Sequence, residues 1–302
     1  MNTREWALLA FTILGQTAAG LMIVLLIVRA YITGKGGVNL ADRLTDRSLY
    51  MVVPIMALAL LASLLHLGSP LHIVRAVPNI GSSWLSREVV MAVTFVIFAA
   101  LFTFLQLRKS GSNSLRTFLG WITGLVSAAY IYSMGMVYMI PTQPSWNTLA
   151  TPLTFIAGSL LLGTLAMSAG LVAGYALNKE KKGDDTKLVH TILQGLAITA
   201  IFLLGVEFLV MPLYTAYLAT QGTAALQSLN MMTGTYGAVM FLRLLMIFAG
   251  AGVLVAYLYR NASVAEKEKT LATLAYSAFT LVLVGEVLGR FIFYATHYRI
   301  GI

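Results

Sequence analysis

The chain has 302 residues, of which 59% are hydrophobic and only 10% are charged, with a formal net charge of +9. Because soluble domains carry about 25% charged residues, this composition excludes an ordinary soluble protein and indicates an integral membrane protein. Cysteine is absent, which excludes disulfides, thiolate metal sites and cysteine-bound iron–sulfur clusters within the chain.

Eight apolar segments follow one another along the sequence, each long enough for the roughly 20 residues that a spanning helix needs. They predict an all-α integral membrane protein with eight transmembrane helices. No basic leader with a cleavage site precedes Trp6, so the first segment is expected to be a retained helix. The predicted spans are residues 6–30, 48–66, 88–108, 115–139, 152–177, 188–210, 236–259 and 271–295.

Lysine and arginine predict the orientation of the protein. The second predicted loop holds only Arg75 and Arg87, and the fourth and sixth hold none. By the positive-inside rule the odd loops are cytoplasmic and both termini face outward, which for a multi-pass protein of a bacterial inner membrane is the periplasmic side. The predicted partner is therefore lipid, and not nucleic acid. The odd loops and adjoining helix ends hold fourteen of the twenty basic residues: Arg29, Lys35, Arg43, Arg47, Arg108, Lys109, Arg116, Lys179, Lys181, Lys182, Lys187, Arg260, Lys267 and Lys269.

The even number of spans divides the sequence into two units that enter the membrane in the same direction. The sequence predicts one four-helix bundle over residues 1–140 and a second over residues 150–302. Both begin with a helix rich in aromatic and small residues, but this similarity is too weak to define a repeat.

The polar hairpin 66–88, between the second and third spans, is the first candidate site. His66 titrates near neutrality and is able to hydrogen-bond a quinone oxygen and take a proton as a quinol is oxidised. Glu88 is then a proton relay to the outer phase. The structural alternative is that His66 only ends a helix, and that Ser86 caps the next helix with Glu88 complementing its dipole.

Two further hairpin residues have open roles. Arg75 binds a lipid phosphate, steadies the loop, contacts a partner or orients a headgroup. Trp84 is an interface anchor or stacks on a quinone ring. Haem is not expected, because only His66 and His297 are candidate ligands at one depth and no histidine lies in mid-span.

Charges within the spans form a second candidate site. Such groups cost about 2.5–3.5 kcal/mol at the bilayer centre unless they have partners. Glu286 and Arg290 are four residues apart and able to pair on one helix face, whereas Glu207 and Arg243 would pair between helices. Structural ion pairs and the lining of a quinone cavity or proton path remain equal alternatives.

The sequence resembles the membrane anchor subunits of anaerobic dimethyl sulfoxide reductases, within the polysulfide-reductase-like anchors. The resemblance rests on motifs in a fixed order along the sequence: Glu5-Trp6, Phe11-Thr12, Gly15-Gln16, His66-Leu67-Gly68-Ser69-Pro70, Leu85-Ser86-Arg87-Glu88, Trp146, Thr151-Pro152, Gly285-Glu286-Val287-Leu288-Gly289-Arg290, Phe293-Tyr294 and His297.

The resemblance implies a haem-free, eight-helix anchor that oxidises menaquinol at His66 and Glu88 during anaerobic respiration. Electrons would pass to a partner with four [4Fe–4S] clusters and then to a molybdenum bis-guanine-dinucleotide subunit that reduces an S-oxide or N-oxide. The anchor by itself would not reduce the terminal substrate. Arg75, Trp84 and Arg290 are the other expected quinol-binding residues. An ion-coupled transporter and a passive anchor without quinol chemistry are the alternatives.

Overall fold

The computed structural model of the protein describes residues 3–66, 77–176, 184–262 and 268–300. All regular elements in these ranges are helical, which confirms the all-α prediction for the described residues. The helices are α1 (Thr3–His66), α2 (Trp84–Arg108), α3 (Asn113–Met136), α4 (Ala150–Ala176), α5 (Asp184–Thr220), α6 (Thr223–Asn230), α7 (Gly237–Ile247), α8 (Val255–Asn261) and α9 (Glu268–Ala295), with π-helical turns at Met231–Thr235 and Phe248–Leu254.

Seven helical segments within the described ranges are long and apolar enough to cross a membrane. The protein is therefore an all-α, multi-pass membrane protein. The prediction of eight spans differs from this count at one place, because the first two predicted spans fall within the single long element α1. The other segments are α2, α3, α4, α5, the continuous stretch Gly237–Asn261, and α9.

Helix α1 reverses its direction at Gly37. This residue has φ 80° and ψ 172°, a backbone conformation outside the helical region that favours glycine. Arg29, which precedes the reversal, lies 2.5 Å from Asp42 and 3.7 Å from Asp46, which follow it. In a straight helix Arg29 and Asp46 would be about 25 Å apart, at about 1.5 Å of rise per residue. The two arms of α1 therefore lie antiparallel, and the count of eight spans stays a prediction.

An ion-pair network joins the arms of α1 to α2 at the predicted cytoplasmic end. Lys109 Nζ lies 2.7 Å from Asp42 and 2.6 Å from Asp46. Gln106 donates to the same two carboxylates at 2.8 and 2.9 Å, and Arg29 is only 8% exposed. Because each buried charge has an opposite partner, the network satisfies these groups while it fixes the reversal of α1.

The second half of the protein departs from the predicted helix boundaries. Helix α5 continues through Pro212 to Thr220, beyond the predicted end at residue 210. The predicted span 236–259 is formed by α7, a π-helical turn and α8. Continued apolar sequence outweighs the hydrogen bond lost at Pro212, and π-helical turns are local bulges that periodicity does not reveal.

Helices α1 and α4 pack backbone to backbone at Gly20 and Gly163. A Cβ built at Gly20 would collide with the Ser159 carbonyl, and one at Gly163 would collide with the Gly20 backbone. Small residues at such crossings allow close helix packing in membranes. One apolar cluster includes both Phe11 of α1 and Phe155 of α4, so the two predicted four-helix units are in contact along this crossing.

Candidate functional site

The predicted hairpin is described from Val77 onward. His66 is the last residue of α1, and its side chain lies outside the described part of the protein, as do His72 and Arg75. The proposed relay between the His66 imidazole and the Glu88 carboxylate therefore stays a prediction. The described site consists of Trp84, Glu88 and the residues that surround them.

Helix α2 begins earlier than predicted, which changes the environment of Glu88. Ser83 is the N-cap, and its hydroxyl accepts a hydrogen bond of 3.3 Å from the Ser86 amide. The predicted cap at Ser86 is therefore wrong. Glu88 is the fifth residue of α2, whereas stabilisation of an acid by the helix dipole is confined to the first turn. The structural alternative for Glu88 loses its physical basis.

Trp84 and Arg87 hold the described end of the hairpin. The Arg87 guanidinium lies 4.2 Å from the centroid of the Trp84 ring and donates to the carbonyls of Ile80 and Gly81, each at 2.8 Å. Trp84 in turn meets the ring of Tyr132 on α3 edge-on, with centroids 5.6 Å apart. The interactions of Arg87 are thus made with the loop carbonyls and with Trp84.

Glu88 points into the protein interior and is only 4% exposed. Its Oε1 atom has no hydrogen-bond partner among the described residues. Among the described residues, the cation that interacts with it electrostatically is Arg290 of α9, and the hydroxyl groups of Tyr130 and Tyr294 also interact with its charge. A buried carboxyl group with an unsatisfied oxygen is costly for folding, which is characteristic of a site that serves function.

Arg290, on α9, is held by contacts with two other helices. It donates a 2.7 Å hydrogen bond to Gln16 on α1, and its guanidinium lies 3.5 Å from the ring centroid of Phe155 on α4. Gln16 also donates to the Phe155 carbonyl at 2.9 Å. The Nε atom of Arg290 has no partner among the described residues. These contacts therefore hold the guanidinium in place and leave its Nε–H without a partner among the described residues.

The predicted pairing of the four interior charges is realised for one pair. Arg243 Nη2 lies 3.3 Å from Glu207 Oε2. Among the ion pairs of the described residues, none within 4 Å joins Glu286 to Arg290. The physical reason is that Gln16 and the Phe155 ring draw the Arg290 side chain towards α1 and α4.

A cavity of about 90 Å³ lies between α4, α5, α7 and α9. Its wall includes all four interior charges, Glu207, Arg243, Glu286 and Arg290. Such a volume accommodates several water molecules, and polar walls favour their entry. Arg290 thus lines the cavity and also interacts electrostatically with Glu88.

Sequence reasoning missed the polar and aromatic residues that complete this interior. The hydroxyls of Tyr138 and Tyr294 are 2.6 Å apart, and the Tyr130 hydroxyl is buried without a partner among the described residues. Gln16 and Tyr294 entered only as parts of a family motif. A glutamine in the middle of an apolar span was the one signal available, because tyrosines at helix ends are common interface anchors.

Comparisons with known proteins relate almost the whole sequence to the anchor subunits that its motifs resemble. The family model described as DMSO reductase anchor subunit (DmsC) matches residues 1–296. The C subunit of the anaerobic dimethyl sulfoxide reductase of Escherichia coli (strain K12) is 28% identical over 303 residues, which cover 98% of this protein and 96% of that subunit. The corresponding C subunit of Haemophilus influenzae is 26% identical, covering 100% and 98%. The anaerobic dimethyl sulfoxide reductase subunit YnfH of Escherichia coli (strain K12) is also 26% identical, covering 98% and 96%.

Proposed function

The protein belongs to the family of DMSO reductase anchor subunits, and from this premise we propose that it anchors such a reductase complex in the membrane and oxidises menaquinol for it. The observation that supports the quinol chemistry is the buried Glu88 carboxyl group, with an unpartnered oxygen, in the electrostatic field of Arg290. A passive anchor has no need of such a costly group.

The residues around Glu88 suit a quinol headgroup. A carboxylate accepts a hydrogen bond from a quinol hydroxyl, and the free Nε–H of Arg290 donates to a quinone carbonyl. Arg290 is rigidly held by Gln16 and Phe155, so its donor is oriented before the headgroup arrives. The site therefore provides complementary partners for both the reduced and the oxidised headgroup.

Oxidation of one quinol to the quinone releases two protons and two electrons. In the proposed reaction His66, at the end of α1, hydrogen-bonds a hydroxyl and accepts its proton, and Glu88 passes protons towards the periplasm. Arg290 and Arg75 orient the headgroup, with Trp84 beside the entrance. An imidazole is suited to these transfers because it titrates near neutral pH, and positioned carboxyl groups are common general acids and bases.

The two electrons require an acceptor on another subunit, because this one has no cysteine to hold an iron–sulfur cluster. We propose that a four-cluster iron–sulfur subunit docks on the periplasmic face and passes the electrons to a molybdenum bis-guanine-dinucleotide subunit. The outer position of the site keeps the distance from quinol to that partner short.

Substitution of the two proposed proton acceptors tests the function. In the assembled complex, His66→Arg and Glu88→Gln are each expected to reduce menaquinol-driven turnover by about a hundredfold or more, which is the size of a general-base contribution. Reduction driven by a soluble viologen donor should stay normal, because it bypasses the anchor. Turnover with both donors is measured on the same preparations.

Glu5→Gln is the matched control, since Glu5 lies in the first turn of α1 at the same predicted membrane surface. It should retain both activities. Normal menaquinol turnover in Glu88→Gln would remove Glu88 from the reaction, and an equal loss with both donors would indicate a failure of assembly.

A further inference from the structure

The interior holds a pair of carboxyl groups that the proposed quinol reaction does not use. Glu207 of α5 and Glu286 of α9 are 6% and 5% exposed, and both line the cavity between α4, α5, α7 and α9. Their carboxyl groups lie near one another, because both reach the same point beside Gly158 on α4. Two carboxylates at such a distance repel each other unless a proton or a cation lies between them.

Gly158 on α4 makes room for this pair. A Cβ built at Gly158 would lie 2.9 Å from Glu286 Oε2 and 3.7 Å from Glu207 Oε1. Among the described residues, the only positively charged group within hydrogen-bonding distance is Arg243, and it contacts the other oxygen of Glu207. The Oε1 atoms of both carboxyl groups are left without a donor in the same part of the structure.

The formal charges of the interior groups among the described residues also favour one bound proton. Three carboxyl groups, those of Glu88, Glu207 and Glu286, share the interior with the guanidinium groups of Arg243 and Arg290. Fully ionised, these five groups would carry one net negative charge. Because an uncompensated charge in a membrane interior is expensive, the neutral cluster with one bound proton is favoured.

We infer that Glu207 and Glu286 form a proton-binding site, in which one proton is shared between the two carboxyl groups. This proton enters and leaves through the cavity that both residues line. The groups that face the pair are Arg243 on α7, Arg290 on α9, Tyr214 on α5 and Gly158 on α4. The shared proton supplies the hydrogen-bond donor that Glu207 Oε1 lacks. No electron is transferred in this exchange.

Arg290 connects this site to the quinol site, since it lines the cavity and interacts with Glu88. A change of charge at Glu88 therefore alters the affinity of the carboxyl pair for its proton. A use of the pair during quinol oxidation rests on the proposed function, whereas the presence of the shared proton does not.

Infrared spectroscopy of the full-length protein in lipid vesicles tests the inference without any quinol. The wild type is expected to show a carboxylic-acid C=O band at neutral pH that shifts in D₂O. Glu207→Gln and Glu286→Gln should each abolish this band, because either change removes one of the two carboxyl groups that share the proton and leaves the five interior groups without a net charge to compensate. Gly158→Ala should shift the band while both carboxyl groups remain.

Glu5→Gln is the control and should leave the band unchanged. A wild-type spectrum without a carboxylic-acid band would overturn the inference even if no variant folds. A band that persists in both glutamine variants would also overturn it. Because no quinol is present, neither result bears on quinol oxidation, and loss of quinol turnover in Glu88→Gln does not decide the infrared result.

Discussion

Arg290 is the residue that connects the polar groups of the interior. Its guanidinium donates to Gln16 and stacks on the ring of Phe155. It also interacts electrostatically with Glu88, and the side chain lines the cavity. An arginine suits this position because it presents a planar face and several donors at fixed angles. A lysine would supply the same charge with neither property.

Arg290→Lys is therefore expected to weaken headgroup orientation without removing the charge. Losing about 1.4 kcal/mol of orientation corresponds to about a tenfold loss of menaquinol-driven turnover. The kcat and KM for menaquinol and the viologen-driven rate are measured on the complex. The viologen-driven rate should stay normal, and Arg299→Lys, at an exposed position, is the matched control. Unchanged menaquinol kinetics in Arg290→Lys would contradict the orienting role.

Some of the site could be predicted from residue types alone. A carboxylate beside a membrane boundary and charged groups within spans are costly, so Glu88 and the pairing of Glu207 with Arg243 could be recognised without a structure. The partner of Arg290 could not be predicted from residue types. Gln16 is 274 residues away in sequence, and the spacing of Glu286 and Arg290 favoured a local pair that the structure does not form.

At the scale of elements, glycines determine how the helices approach one another. Gly37 allows α1 to reverse, and Gly20 and Gly163 bring α1 and α4 into backbone contact. The apolar spans were predictable, because hydropathy and length suffice for them. The glycine contacts were not predictable, because 26 glycines occur in the protein. Nothing in the local sequence distinguishes a glycine at a helix crossing from one that faces lipid.

Gly163→Ala should destabilise the protein by about 1–3 kcal/mol, the usual cost of overpacking a tight interface. The added methyl group would meet the backbone of Gly20, which has no flexible end to move aside. Gly195→Ala is the matched control, because nothing lies within 4 Å of a Cβ built there, and its stability should change by no more than about 1 kcal/mol. Thermal unfolding in detergent measures both variants. Equal unfolding temperatures would mean that α1 and α4 do not cross at this point.

At the scale of the whole molecule, the charged groups at the two ends of the helices differ in whether they have partners. The predicted cytoplasmic end is fixed by the paired network of Arg29, Asp42, Asp46 and Lys109. The predicted outer half instead holds the unpartnered oxygens of Glu88 and Glu286. Satisfied charges stabilise the fold, whereas unsatisfied ones are available to a ligand or a proton.

Photoaffinity labelling of the assembled wild-type complex with a photoreactive menaquinone analogue tests the central claim directly. The label should attach near Trp84 and Glu88 in α2 or near Arg290 in α9, and excess menaquinol should prevent it. Mass spectrometry of the labelled peptides identifies the positions. Labelling confined to the opposite end of the helices, around Arg29 and Lys109, would contradict quinol oxidation at the Glu88 site.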